Sequence, residues 1–346
     1  MKNLLIGMVV LALVGCATMT RKTPEVGFKL MDKYDSPDGM TIGPDNYIYL
    51  SMNAAGIDMK FKHPAKIMRI SPDDELEEFA DLPAHPESKL ASPLGLVFAS
   101  DGNLYVSDNQ AFAGGDKASR MIQIIIKDGK PVSSGVVVTG LQMANGIIAR
   151  DGFIYLNETA IDGDVNPMIS GVYRFKVSEL NPGKPIKVTG VEDSHFFLKI
   201  ETNYEDDLHK VGANGIDFDS KGNLYVSDFG EAEIMKVTLK DDGSVNEVTS
   251  LCKGQGLESV DGFHIDSEDN IWLADFLGNA IAKVCTSTGK VKIIAKNKPG
   301  DGADGSLDAP SECIRRGDKV YVSNIDISYG PNTADEIQTI SIIDLD

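Results

Sequence analysis

Six copies of a short phrase, each followed at a set distance by an aromatic residue, constrain this chain more than any other feature. They read Ser36-Pro37-Asp38-Gly39, Ser92-Pro93-Leu94-Gly95, Met143-Ala144-Asn145-Gly146, Gly212-Ala213-Asn214-Gly215, Ser259-Val260-Asp261-Gly262 and, degraded, Pro310-Ser311-Glu312-Cys313. Nine to eleven positions after the third residue of each copy stand Tyr49, Tyr105, Tyr155, Tyr225, Trp272 and Tyr321. The copies are spaced 56, 51, 69, 47 and 51 residues apart, a period that belongs to repeat architectures.

Within a copy the pattern is strand, polar turn, strand. Gly215 to Phe218 is followed by Asp219-Ser220-Lys221-Gly222-Asn223 and then by Leu224 to Ser227. Two further strands follow in most units, such as Ile234 to Leu239 and Glu247 to Leu251 around Asp241-Asp242-Gly243. Four strands per unit of about fifty residues predict an all-β, six-bladed propeller with four-stranded blades. The last unit is one strand short after Gln338 to Leu345, and Val26 to Asp32 is the natural donor of the missing outer strand. Pairing the two termini in this way closes the ring and removes open sheet edges.

In such a ring the third residue of each phrase opens the innermost strand, so Asp38, Leu94, Asn145, Asn214, Asp261 and Glu312 encircle one mouth of the central channel. The long segments Met52 to Lys62, Asp108 to Ala118, Asn157 to Ser170, Glu201 to Val211 and Asn324 to Glu336 emerge on that same face. Five of the six ring residues carry oxygen donors, without His or Cys, which is the ligand chemistry of a hard cation: calcium foremost, with magnesium, manganese or zinc as alternatives. Asp and Asn before Gly are also favoured turn residues. A turn requirement alone does not account for Glu312 or Leu94.

A second column, three residues past each aromatic, holds Met52, Asp108, Glu158, Asp228, Asp275 and Asn324. Acids here suit capping of loop backbone amides, with Asp228 and Asp275 alternatively steadying Asn214 and Asp261. His264 reads as a core or channel residue, and His209 as a residue that could overhang the mouth. Cys252, Cys285 and Cys313 show no Cys-x-x-Cys spacing, and one disulfide plus a free thiol is compatible with their number.

The N-terminus is organised differently. Lys2, the apolar run Leu4 to Val14 and Leu13-Val14-Gly15-Cys16 form a signal segment over residues 1–15 that resembles the lipobox of bacterial lipoproteins. That resemblance implies lipidation of Cys16, a tether over 16–25 ahead of the propeller that the repeats predict over 26–346, and a place in the bacterial cell envelope, periplasm-facing, on the outer rather than the inner membrane. Attachment would be through the lipid anchor only. With 52 acidic against 33 basic residues, nucleic acid is not an expected partner, and a propeller closed on itself is expected to be monomeric.

At its ring residues the chain resembles the gluconolactonase and regucalcin-like (senescence marker protein type) propellers over roughly residues 30–346, and more loosely the paraoxonases. The resemblance implies a divalent metal held by Asp38, Asn145, Asn214 and Asp261, and metal-assisted hydrolysis of a lactone or small ester with Asp261 or Glu312 as the base. Asp38 stands where that family usually has Glu, Asn145 is not followed by Asp, and Met143 replaces a substrate-binding Arg. A more apolar lactone or ester than gluconolactone suits Met143 and Leu94. Ala144-Asn145-Gly146-Ile147 also resembles the strictosidine-synthase-like propellers, in which Glu312 would act without metal. A third alternative is a non-catalytic propeller that binds a ligand or partner around a structural metal.

Overall fold

The computed structural model describes residues 21–55, 60 and 63–346, so residues 1–20, Cys16 among them, lie outside what is described. Six sheets follow one another around a ring. Blade one is Pro37–Ile42, Ile48–Met52, Lys66–Ile70 and Leu76–Asp81; blade four is Ala213–Phe218, Leu224–Asp228, Glu233–Leu239 and Val245–Lys253. All four strands are antiparallel in each, and the second strands, buried at every residue, form the centre of the packing between blades.

Blade six is closed as the sequence predicts. Glu25–Lys29 pairs antiparallel with Thr339–Asp344, beside Lys319–Asn324 and Pro310–Arg316. A polar staple adds to this closure. The Tyr321 hydroxyl and Arg316 both bond Asp74 in blade one, with Arg316 Nη2 2.6 Å from its carboxylate.

The recurring aromatics are scaffold. Tyr49, Tyr105 and Tyr225 donate to Asp45, Asp101 and Asp219 at 2.7, 2.9 and 3.0 Å, and Trp272 Nε1 donates to Asp266 at 2.7 Å. Each of these acids sits in the turn between the first two strands of its own blade and also accepts turn backbone N–H groups, so the aromatic pins the hairpin end away from the loop-rich face.

Two expectations differ from the structure. Asn157 to Ser170 is mostly a hairpin, because Phe153–Asp162 and Met168–Lys176 extend well past the sheet's usual edge. The surplus length of the third unit goes instead into residues 177–195, between its third and fourth strands and therefore on the opposite face. There Ile186–Lys187 pairs parallel with blade two. Cys252, Cys285 and Cys313 are all free, Cys252 and Cys313 being buried, so the one disulfide that their number allows is not formed.

Candidate functional site

The phrase repeats because the inner strands nearly touch. A Cβ on Gly39, Gly95, Gly215 or Gly262 would lie 2.5–2.8 Å from the carbonyl oxygen of Leu94, Asn145, Asp261 or Ser311 on the next blade, and one on Gly146 would come nearer still to Asn214 O. Real Cβ atoms do not approach that closely, so glycine is the residue that lets the ring draw in. At four of these five glycines the inner strand bulges: pairing skips from Pro37 to Met40, Pro93 to Leu96, Ala144 to Ile147 and Ala213 to Ile216. A bulge re-aims the skipped side chain, here towards the axis.

This register corrects the sixth copy. Pro310 pairs with Asn324 and Cys313 with Val322, as Pro37 pairs with Met52 and Met40 with Leu50. Ser311 therefore occupies the ring position and Glu312 the glycine position, one step deeper. Ser311 O faces Gly262 as the carbonyl oxygens of the ring residues face the glycines of the neighbouring blades, and it accepts Gly262 N–H at 2.8 Å.

Two cavities meet at the ring. Above lies a cup of about 280 Å³, and below it a channel of about 240 Å³. Asp38, Asn145, Asn214 and Asp261 line both, so these four form the constriction between them; Leu94 lines only the cup, and Glu312 only the channel, with Asp217 and His264. His264 Nδ1 lies 3.1 Å from Asp217, as befits a channel residue.

The constriction is electrostatically unbalanced. Burial pushes the Asp38 carboxyl up to about 7 against a hydrogen bond from Ser311. Asp261 is held well above the usual carboxylate range, first by burial and then by the charge of Asp38, while the Asn214 amide and Gly262 N–H oppose the shift. Glu312 is raised as well, chiefly by burial, with Asp38, Asp261 and Asp217 adding repulsion. Two carboxylates and two amide side chains, with the carboxylates lacking a cationic partner among the described residues, fit a hard divalent cation.

The second column caps backbone, away from the ring. Asp108 accepts Ser92 N–H at 2.6 Å, Glu158 accepts Gln142 and Met143 N–H at 2.8 and 2.5 Å, and Asp275 accepts Ser259 N–H at 2.8 Å. Asp228 takes Thr202 Oγ1 at 2.8 Å and Glu231 N–H at 3.1 Å, and bonds neither Asn214 nor Asp261.

One residue further along is a column that the sequence reading missed: Asn53, Asn109, Thr159, Phe229, Phe276 and Ile325. All six are buried, and all but Asn53 line the cup. The signal was available at four residues past each aromatic. It divides the cup, with Asn109 and Thr159 on one side and Phe229, Phe276 and Ile325 on the other. Asn109 accepts Ala111 N–H through Oδ1, and its buried Nδ2 has no partner among the described residues. Loops add Phe112, Lys210, Val211, Ile327 and Tyr329 to the wall, with the Tyr329 hydroxyl tying two of them through Leu208 O at 2.8 Å. His209 does not line the cup. Its Nδ1 lies 2.7 Å from Asp206, and its neighbours Lys210 and Val211 take the overhanging place.

Residues 63–296 match the family profile described as SMP-30/Gluconolactonase/LRE-like region. The chain belongs to this family. No curated protein sequence matches it significantly. Among solved structures it is similar to a luciferin-regenerating enzyme (TM-score 0.61, 15% identity, covering 93% of this chain and 95% of that one). It is also similar to a gluconolactonase from Xanthomonas campestris (TM-score 0.55, 16% identity, 96% and 99% covered). A third similar structure is virginiamycin B lyase from Staphylococcus aureus (TM-score 0.51, 14% identity, 93% and 98% covered). At these identities the likeness is one of fold, and family membership supports an enzyme-like propeller acting on a small molecule.

Proposed function

We propose that this protein hydrolyses a lactone or small ester bearing an apolar group, with a divalent cation, calcium foremost, held by Asp38, Asn145, Asn214 and Asp261. The observation that carries the reading is the constriction itself: two mutually repelling carboxylates and two amides close the floor of a largely apolar cup. When bound, such a cation polarises a carbonyl oxygen and compensates negative charge that develops on it.

The chain's own residues supply the rest. Phe229, Phe276 and Ile325 receive the apolar part of the substrate and exclude water from it, while the free Nδ2 of Asn109 offers a donor on the opposite wall. The Asn214 amide holds Asp261, whose carboxylate orients a water and takes its proton as the water oxygen attacks the carbonyl carbon. The same proton passes to the alkoxide when the acyl C–O bond breaks, giving a hydroxy acid from a lactone or an acid and an alcohol from an open ester. Glu312 lines the channel below the ring and not the cup, so it does not touch substrate.

The test is hydrolysis across a panel of lactones and aryl esters of graded apolarity, beside elemental analysis of the purified full chain. Asp261→Asn is expected to lower kcat/KM by about 10²-fold or more and to release one equivalent of metal, with Glu312→Gln far milder. Activity that survives chelation and dies with Glu312→Gln would sink this reading in favour of metal-free chemistry. Bound metal with no turnover on any substrate would leave a binding propeller. The lipobox at Cys16 adds that the enzyme works at the cell envelope, and Cys16→Ser should move it from the membrane fraction to the soluble one.

A further inference from the structure

A second set of acids lies behind the cup wall. Asp308 precedes the inner strand of blade six, and Asp326 and Asp335 belong to the loop between its second and third strands. Carboxylate oxygens from the three lie within 4.8 Å of one another, the one such grouping of three or more acid, His or Cys side chains among the described residues. Asp308 is only 1% exposed, yet neither of its carboxylate oxygens has a hydrogen-bond partner among the described residues. A buried carboxylate with both oxygens unsatisfied is costly unless something positive shares the space.

The surroundings keep that space open. Gly302, at φ 61°, passes so close that a Cβ there would lie 3.3 Å from Asp308 Oδ2 and 3.1 Å from Thr339 Oγ1. Asp326 accepts the Asp335 N–H at 3.1 Å and Gln338 Nε2 at 2.5 Å, and Gln338 Oε1 in turn accepts Ser36 N–H at 2.9 Å. The charges bearing on Asp308 are those of Asp326, Asp335 and Asp301, all of one sign.

We propose that Asp308, Asp326 and Asp335 form a second cation site, separate from the channel mouth, that takes a divalent hard cation of the calcium type. An all-oxygen set of three carboxylates suits calcium better than softer metals. The ion links the segment before blade six to the loop that carries Ile325, Ile327 and Tyr329 into the cup. Through Gln338 it also reaches the seam with blade one. Ala309 and Ile325 pack in the same apolar cluster as Phe229 and Phe276, so the ion braces the wall against which the substrate rests. This site stands or falls independently of the activity proposed above.

The experiment titrates the chelator-stripped full chain with calcium chloride, read by calorimetry and by thermal unfolding. Wild type is expected to bind two equivalents and to gain Tm. Asp308→Asn should lose one equivalent and that part of the Tm gain, and Asp261→Asn the other. Asp335→Asn, at the less buried corner, should weaken the same equivalent as Asp308→Asn by about tenfold or more. Stripped Asp308→Asn should melt above stripped wild type, since it removes an unpaired buried charge. A single equivalent lost with Asp308→Asn but kept in Asp261→Asn would support this site and defeat the mouth site. Stoichiometry and calcium-induced Tm gain unchanged in both Asp308→Asn and Asp335→Asn would overturn it, as would a wild-type chain whose one equivalent vanishes with Asp261→Asn.

Discussion

Glu158 shows how burial sets the behaviour of individual residues here. It is 2% exposed and caps two backbone N–H groups, and burial pushes its carboxyl from 4.5 up to about 7. Between those two values the folded chain holds a proton that the unfolded chain has released. Stability from this group is therefore complete below about pH 4.5 and declines as pH rises through about 7. Thermal midpoints measured from pH 4 to 8 should fall less steeply in Glu158→Gln than in wild type. Ligand recognition at this scale rests on single side chains of the cup: Phe276→Ala is expected to raise KM for apolar esters by about tenfold, from about 1–3 kcal/mol of lost contact, with a smaller change for short-chain ones. Equal losses on both would remove the apolar wall from the account of specificity.

Strand elements decide where those side chains point. The inner strands of blades one to four each carry a bulge with a glycine seated against the next blade, so Gly146→Ala forces a methyl group into Asn214 O. Chemical denaturation should show a loss of about 1–3 kcal/mol. Calcium affinity at the mouth should fall with it, since Asn214 is displaced. The ring residues Asp38, Asn145, Asn214 and Asp261 were legible because the phrase, its glycine and the distant aromatic recur in register. Glu312 was misread because blade six has lost the glycine, and its bulge skips only Ser311. The column from Asn109 to Ile325 was equally periodic, and went unread because its members change from amide to hydroxyl to aromatic around the ring.

On the scale of the whole molecule, the ring is held shut by Glu25–Lys29 on Thr339–Asp344 and by the Asp74 staple between blades six and one. Deleting residues through Lys29 uncovers the edge of Thr339–Asp344. The truncated chain should melt at lower temperature and form oligomers on size-exclusion chromatography, whereas Asp74→Asn should lower Tm without oligomers. Periodicity along the chain was sufficient by itself to establish the six blades, their strand number, the closing strand and four residues of the mouth. Strand alternation and turn chemistry are local, and six repetitions make them unmistakable. Contacts between loops that carry no repeat were decided by the tertiary structure alone. Lys210 and Tyr329 reach the cup from loops with no repeat, and Asp308, Asp326 and Asp335 converge without any motif, because only the packing of blade against blade brings those loops together.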